Sequence, residues 1–429
     1  MYFIYNLFLI FILPLFLIYF LCFSVRGNIR GTVRQRLGQI DFSTLPSTKK
    51  KIWVHAASVG EVRTAFELIR ALRQKYGPSI KILLSVITQN GFEVAREETT
   101  LDALFYLPFD LPWIVKKVIH QIQPAILIVL ETELWPNLFK YARQNGASII
   151  VANGRLSQSS IKWYQRLRPL MRRVLSYTEK ICVQNEIYYQ RYQSIGAPPE
   201  KLVIVGDIKE EQAIHLGEQF PPAEVRQVLD FAEKPVLAVV STHPGEEEQI
   251  CEVFQALKPL HSQLKLILAP RHIFRRDTVY KLLVRYQFSI LKRSEHEIIK
   301  NPTEDVILWD TFGELGRVYA TATLVFVGGS LVPVGGHALM EPAAFGIPVL
   351  WGPHAFNFPI AAAKLIDCNG GICIQNQQEL LTACQELLNS PDKSQKMGQA
   401  AHACAMSARG VIQRHLEWIE PSLGLKSNQ

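Results

Sequence analysis

This chain of 429 residues lacks most of the features that settle a function quickly. Its seven cysteines are scattered, with no CxxC pair and no regular spacing; Cys368 and Cys373 lie closest. That excludes a disulfide framework and a cysteine zinc site, and points to a reducing compartment. There is no P-loop, no HExxH pair and no serine–histidine–aspartate order. P-loop hydrolysis, zinc proteolysis and triad chemistry therefore lack their residues. No DxD-type pair is placed to hold a metal on a diphosphate, so no metal and no other cofactor is expected. Internal repeats and low-complexity tracts are absent as well. Acidic residues are in the minority, 38 against 46 Lys and Arg, for a net charge of +8. That surface favours anionic partners. No RNA- or DNA-binding motif accompanies it, so nucleic acid is not expected among them.

Long apolar runs are scarce too, with one conspicuous exception. Tyr2 to Phe23 is almost wholly apolar, interrupted by Asn6 and Pro14. The length suits a helix across a bilayer. No basic residue precedes it, unlike a cleaved signal, and Arg26, Arg30, Arg34 and Arg36 follow it. The pattern predicts a single-pass anchor over residues 1–24 with the rest of the chain cytoplasmic. Pro14 is a place for a kink or a shallow insertion.

After a polar linker, about Asp41 to Lys50, strands alternate with helices. The first half reads as strands at Ile52–Ser58, Ile80–Thr88, Ala103–Asp110, Ala125–Pro136, Ala147–Arg155, Lys180–Asn185 and Val203–Lys209, with a helix from Val62 to Tyr76. Pro221-Pro222 marks a linker. The second half has strands from Val236, at Leu264–Pro270, Val306–Asp310, Leu324–Val327 and Ile347–Leu350. A short helix, Leu339 to Phe345, stops at Gly346, and a last helix runs from about Gly410 to Glu420. Such alternation implies parallel sheets covered on both faces, with ligands at the carboxyl ends of the strands. The expected architecture is α/β, two Rossmann-like lobes with a central cleft. The boundaries are 48–210 for the first lobe, 223–405 for the second, and 406–429 for a terminal helix packing back on the first.

Several residues sit where strand ends would carry chemistry. Glu61 follows Ser58-Val59-Gly60 at a strand-to-helix turn, where the helix start should lower its pKa and keep it ionised. Glu131 and Glu133 end one strand and Lys209 another. Two carboxylates and a lysine suit general-base work on a hydroxyl and stabilisation of developing charge. In the second half, Arg271 at a strand end has the fork of a phosphate clamp, or makes an ion pair. Gly313 and Glu314 precede a helix. The glycine pairs Gly328-Gly329 and Gly335-Gly336 allow a ligand close to the backbone, and Glu341 opens the short helix that follows. Glu246, Glu247 and Glu248 complement a helix dipole, a structural role. Lys162 to Arg173 mixes Lys162, Arg166, Arg168, Arg172 and Arg173 with Trp163, Tyr164, Leu167 and Leu170, a surface suited to anionic lipid. Nucleotide in the second lobe and acceptor with base in the first suggest a glycosyltransferase of the GT-B type.

At these residues the sequence resembles the Kdo transferases of lipopolysaccharide synthesis, which move 3-deoxy-D-manno-octulosonic acid from CMP-Kdo to lipid A precursor. The resemblance rests on HAASVGEV (His55–Val62), ETELWPN (Glu131–Asn137), NGRLS (Asn153–Ser157), STHPGEEE (Ser241–Glu248), APRH (Ala269–His272) and the run from Gly313 to Pro342. It implies that Glu61 is the catalytic base and that Glu131 and Lys209 stabilise the transition state. It assigns CMP contacts to Pro270 and Arg271, to Phe312, Gly313 and Glu314, and to Ala338, Leu339, Met340 and Glu341. It also implies CMP-Kdo, lipid A precursor and the inner membrane as partners. Two positions depart from the family pattern. Ala338 stands where asparagine is usual, a loss of about 1 kcal/mol if that amide bonds the nucleotide. Asp207 stands in GDIK where the family has GNLK, a charge that would mute Lys209. The alternatives are a GT-B transferase with another nucleotide sugar, which the EX7E pattern of retaining members disfavours because Val349 stands eight residues after Glu341, and an inactive glycolipid-binding protein.

Overall fold

The computed structural model describes residues 1–23, 29–43, 45, 50–229, 231, 234–297, 299 and 301–424. The chain divides into two compact units, Met1–Lys209 with Gly410–Gln429, and Glu210–Arg409.

The first unit is built on seven parallel strands: β1 (Lys50–Ala56), β2 (Ile80–Val86), β3 (Ala103–Tyr106), β4 (Ile126–Leu130), β5 (Ser148–Gly154), β6 (Lys180–Val183) and β7 (Leu202–Ile204). Their order is β3-β2-β1-β4-β5-β6-β7. β4 is buried at every position, as a run of Ile, Leu and Val must be when helices cover both faces. The helix Val59–Tyr76 shows how those covers form. Ser58 caps it, and Val62, Ala65, Phe66, Leu68, Ile69 and Leu72 form its buried stripe. Each large side chain on that stripe contributes about 1.5–3 kcal/mol. The terminal helix Val411–Leu423 lies on the same unit. Its fully buried His415 accepts Asn153 N–H on Nε2 at 3.1 Å and bonds the Val411 carbonyl through Nδ1 at 2.8 Å. Burial pushes that imidazole down to about 4.

The second unit repeats the plan with β8 (Val236–Thr242), β9 (Lys265–Pro270), β10 (Ile290–Lys292), β11 (Val306–Leu308), β12 (Leu324–Val327), β13 (Val349–Trp351) and β14 (Gly371–Cys373). The order is β10-β11-β9-β8-β12-β13-β14, again all parallel. In each sheet the strand order reverses beside the first strand, between β1 and β4 and between β8 and β12. Ligand sites of doubly wound sheets lie at such points.

Four expectations need correction. Lys209 does not end a strand: β7 stops at Ile204, and Lys209 lies in the first turn of the helix Ile208–Gln219. Pro222 opens a helix, Pro222–Leu229, rather than a linker, since proline is well suited to a first helical position. The polar linker expected from Asp41 to Lys50 is half described: residues 44 and 46–49 lie outside the described residues, while Phe42 is buried edge-on against Phe105 and Lys50 already opens β1. The N-terminal anchor is the fourth. Tyr2–Phe23 is helical, but among the described residues no helix is long and apolar enough to cross a membrane. Polar side chains of its first turns are engaged with the first unit. Tyr2 donates to the Pro136 carbonyl at 3.0 Å, Tyr5 to Asp110 at 2.8 Å, and Asn6 accepts from Asn137 at 2.7 Å. Arg26 and the side chain of Arg30 lie outside the described residues. Arg36 is buried, bonded to the Ile87 carbonyl and set over the Tyr106 ring, so it is not a membrane-facing charge.

Candidate active site

In the first unit the site is assembled where β1 and β4 part. Ser58 and Glu61 form a reciprocal cap: the Ser58 hydroxyl accepts Glu61 N–H at 3.4 Å, and the Glu61 carboxylate reaches back to Ala57 N–H at 2.8 Å. That is a variant of the capping box, with the carboxylate on the N–H one residue before the cap, and a sufficient structural use for Ser-x-x-Glu. Yet Glu61 is not held ionised as its position suggested. Burial pushes its carboxyl up to about 7, and the charges of Glu131 and Glu133 add to the rise, against the Ala57 and Ser58 hydrogen bonds. Desolvation outweighs two bonds and a helix start because the group lies within the sheet end rather than on the surface.

Glu131 follows β4 with φ +54°, a left-handed conformation uncommon for a side-chain-bearing residue and a mark of functional strain. Its backbone is fixed by N–H to Ala152 O at 3.0 Å and by the Tyr192 hydroxyl on its carbonyl at 2.7 Å. Its Oε1 meets Lys209 Nζ at 2.6 Å. Glu131 and Lys209, far apart in sequence, are thus one ion pair. Asp207 accepts the backbone N–H of Lys209 at 3.0 Å, a capping bond that asparagine would make as well. Its departure from the family pattern therefore serves the helix start, while the ammonium goes to Glu131.

The second unit carries its own cluster where β8 and β12 part. Ser241, φ +57°, bulges the end of β8. A Cβ at Gly328 would stand 2.8 Å from Ser241 O and Thr242 Cα, so only glycine lets β12 end against that bulge. Glu246 overturns its reading as a dipole charge. It is fully buried and accepts four backbone N–H groups: His243 at 2.9 Å, Gly329 at 2.7 Å, Ser330 at 3.0 Å and Leu331 at 2.9 Å. The donors after β12 that glycine richness seemed to offer a ligand are thus occupied by a side chain. Glu247 is paired in two-point fashion with Arg275, at 2.6 and 3.1 Å. The ion pair that sequence offered to Arg271 is made by Arg275 instead.

Arg271 is exposed just past β9, its N–H on the Thr242 carbonyl at 3.1 Å. Pro270 is the last residue of β9. Phe312 is 68% exposed, and Gly313 turns with φ +81°. Glu314 is tied to Arg293 at 2.8 Å and to the Thr311 hydroxyl, so its backbone, not its carboxylate, is the part free to meet a ligand. Ala338 is half-buried. Leu339 and Met340 point into the core; toward a ligand they offer main chain only. The helix is short, Met340–Ala344. Glu341 accepts the Tyr319 hydroxyl at 3.1 Å.

Sequence reasoning missed the histidines. His243 and His337 face each other through Nε2 at 2.9 Å with nearly parallel rings. Burial, with Arg271 and two neighbouring imidazoles, pushes His337 down to about 4. Burial likewise lowers His243. Both are then neutral at physiological pH, one donating to the other. His55, within β1, looked like an interior strand residue and proves to face Glu133. Only alternation along the strand hints at it.

Residues 31–212 match the family described as 3-deoxy-D-manno-octulosonic-acid transferase (kdotransferase). A 3-deoxy-D-manno-octulosonic acid transferase of Haemophilus influenzae is 36% identical over 96% of each chain. One of Bordetella pertussis is 30% identical over 87% of each. Among solved structures, a UDP-GlcNAc 2-epimerase of Neisseria meningitidis bound to UDP-GlcNAc superposes with a TM-score of 0.59, covering 86% of this chain and all of that one, at 13% identity. At that identity the likeness speaks for the fold, two Rossmann-like units of the GT-B class.

Proposed function

The chain belongs to the 3-deoxy-D-manno-octulosonic acid transferase family, and on that premise we propose that it moves Kdo from CMP-Kdo to lipid A precursor by inverting displacement. The observation that carries the mechanism is the placement of Glu61, half-buried at the end of β1 and held by Ala57 N–H, where burial pushes its carboxyl up to about 7, the range in which a general base works at physiological pH. Glu61 takes the proton from an acceptor hydroxyl. That oxygen forms a bond to the anomeric carbon of Kdo as the bond to the CMP phosphate breaks, and the electron pair leaves with CMP. Lys209, oriented by Glu131, supplies fixed positive charge in the first unit. In the second, Pro270 and Arg271, the turn Phe312-Gly313-Glu314, and Ala338 to Glu341 hold the nucleotide. Arg271 takes up charge on the departing phosphate.

The acceptor is a glycolipid, so we assign the enzyme to a membrane surface, with its catalytic units on the cytoplasmic side of the inner membrane. Phe3, Phe8 and Phe11 of the first helix are exposed, as are Trp163 and Leu167. Arg166 lies 4.9 Å over the Trp163 ring. Aromatic rings beside arginines suit the boundary of an anionic bilayer.

The test is transfer from CMP-Kdo to tetraacylated lipid A precursor by the purified protein, with products resolved by mass. Kdo-sized increments, unchanged by EDTA, are expected. CMP bound without any product would overturn the proposal and favour a binding role.

A further inference from the structure

Two consecutive residues at the end of β5 hold both members of the Glu131–Lys209 ion pair. The Ala152 carbonyl accepts the Glu131 backbone N–H at 3.0 Å. The next residue, Asn153, is fully buried with φ +54°, a left-handed conformation that asparagine takes more readily than most residues. Its Oδ1 accepts Ile208 N–H at 3.0 Å, at the start of the helix whose first turn carries Lys209. A backbone N–H only donates, which identifies the amide atom facing it as the oxygen. The Asn153 Nδ2 is buried without a hydrogen-bond partner among the described residues, so the side chain is held there through its oxygen.

The terminal helix Val411–Leu423 fixes the same two points. His415 Nε2 accepts the Asn153 backbone N–H at 3.1 Å, and the ring therefore carries its hydrogen on Nδ1, donated to the Val411 carbonyl at 2.8 Å. Arg414 Nε donates to the Val205 carbonyl at 3.0 Å. A Cβ at Gly206 would stand 2.5 Å from Val411 Cγ2, so the turn between β7 and the Lys209 helix closes against the terminal helix only at a glycine. Lysine has a long, flexible stem. Its ammonium meets Glu131 Oε1 at 2.6 Å only if the start of its helix is held in place, and a misplacement of about 1 Å near a reacting centre costs about 100-fold in rate.

We propose, on the reading of Lys209 as the charge that stabilises the transition state, that Asn153 is a positioning residue for the Glu131–Lys209 pair and that His415 of the terminal helix holds it in that role. Ala152 registers the backbone of the carboxylate and Asn153 that of the lysine, so β5 sets the spacing across the pair. The terminal helix thereby serves the catalytic apparatus of the first unit as well as its core.

The experiment is a kinetic cycle on the full-length protein. Lys209→Met is expected to lower kcat by about 100- to 1,000-fold, as loss of one fixed charge-stabilising donor does. Asn153→Gly keeps the left-handed backbone and removes the Oδ1 acceptor. It is expected to lower kcat by about 10- to 100-fold, with KM for CMP-Kdo within about twofold of wild type. The double variant should be no slower than Lys209→Met, since Asn153 acts through that lysine. His415→Leu should repeat the loss seen in Asn153→Gly. His415→Gln, whose amide oxygen takes the place of Nε2, should bring transfer back to within about threefold of wild type. Multiplied losses in the double variant, an unchanged kcat in Asn153→Gly, or equal losses in the two His415 variants would overturn the proposal. If Asn153→Gly does not fold, the two His415 variants, each combined with Lys209→Met, decide in the same way. The lysine Hε signals of 13C-lysine-labelled protein, assigned by loss in Lys209→Met, read the pairing without turnover. Two distinct Hε shifts for Lys209 are expected in the wild type and one averaged shift in Asn153→Gly; the same pattern in both would overturn the proposal. Full transfer by Lys209→Met would refute the role of Lys209, while those signals still decide whether Asn153 positions it.

Discussion

At the scale of single residues, the chemistry turns on burial overriding position. A glutamate at a helix start ordinarily has its charge favoured; Glu61 instead titrates near 7 because it is desolvated at a sheet end beside Glu131 and Glu133. A base works only when ionised, so kcat/KM is expected to rise with pH through about 7 and to fall away below it. A pH profile of kcat/KM measured at sub-saturating acceptor checks this, and a flat profile from pH 5 to 8 would contradict it. Glu61→Gln should cost about 100- to 10,000-fold in transfer with CMP affinity kept. It should also raise Tm at pH 8. Glutamine preserves the capping geometry, and the cost of burying a charge disappears above the raised pKa, where the wild-type group is ionised. Calorimetry at pH 8 reads that gain. The site residues were legible as types at turns: Glu61, Glu131 and Arg271 announce themselves beside strand ends. Their environment was not, because neither desolvation nor the Glu131–Lys209 pairing at 2.6 Å is encoded in spacing. Asp207 shows the limit from the other side, a departure that looked electrostatic and serves as a backbone cap.

At the scale of elements, the long buried strands were plain in the sequence. β1, β2, β4, β5 and β8 are β-branched and leucine-rich runs that admit no other placement. The strands β10 and β14 have three residues each and were invisible because they are edge strands, half-buried at every position, without the fully buried apolar run that marks the equally short β11 and β13. Lys209 was misplaced for a related reason: Val203 to Ile208 looks like one apolar strand, but Gly206 turns with φ +113° and a helix begins two residues on. Glu246 carries the most structural consequence. Four backbone N–H groups converge on it, joining the turn after β8 to the turn after β12. Glu246→Ala leaves four donors without an acceptor in a dry site. A loss of about 3–5 kcal/mol in the stability of the second unit is expected, as for a broken buried charged contact. Urea unfolding measures it, with CMP binding expected to weaken in step because both turns border the proposed nucleotide site. A change below 1 kcal/mol would mean that the turns hold themselves.

At the scale of the whole molecule, one topology is used twice, and each unit places one left-handed non-glycine residue, Glu131 in the first and Ser241 in the second, at the end of a strand that flanks the reversal of strand order. The exterior of the first unit bears on where the enzyme works. It carries the exposed Phe3, Phe8, Phe11, Trp163 and Leu167, and the whole chain has a net charge of +8. The sequence alone suggested a spanning anchor, since Tyr2 to Phe23 has the length and the apolar content for it. Tyr2, Tyr5 and Asn6 instead bond to Pro136, Asp110 and Asn137, in and beside the ETELWPN segment that also carries Glu131. A helix held in this way offers an apolar side to a bilayer while staying fixed to the catalytic unit. Two forces then act together: insertion of aromatic side chains, insensitive to salt, and attraction of basic residues to anionic headgroups, screened within about 8–10 Å at physiological salt. Binding to vesicles containing phosphatidylglycerol is therefore expected to weaken, but not vanish, between 50 and 500 mM salt. Phe8→Glu with Phe11→Glu should weaken vesicle binding by about 100- to 10,000-fold, since each ring contributes about 1.5–3 kcal/mol when buried, and should leave transfer to a detergent-dispersed acceptor largely intact. Co-sedimentation and the detergent assay give both readouts. Binding abolished by salt alone would assign membrane contact to charge only. Transfer lost in detergent would mean that the helix serves the ETELWPN segment rather than the bilayer.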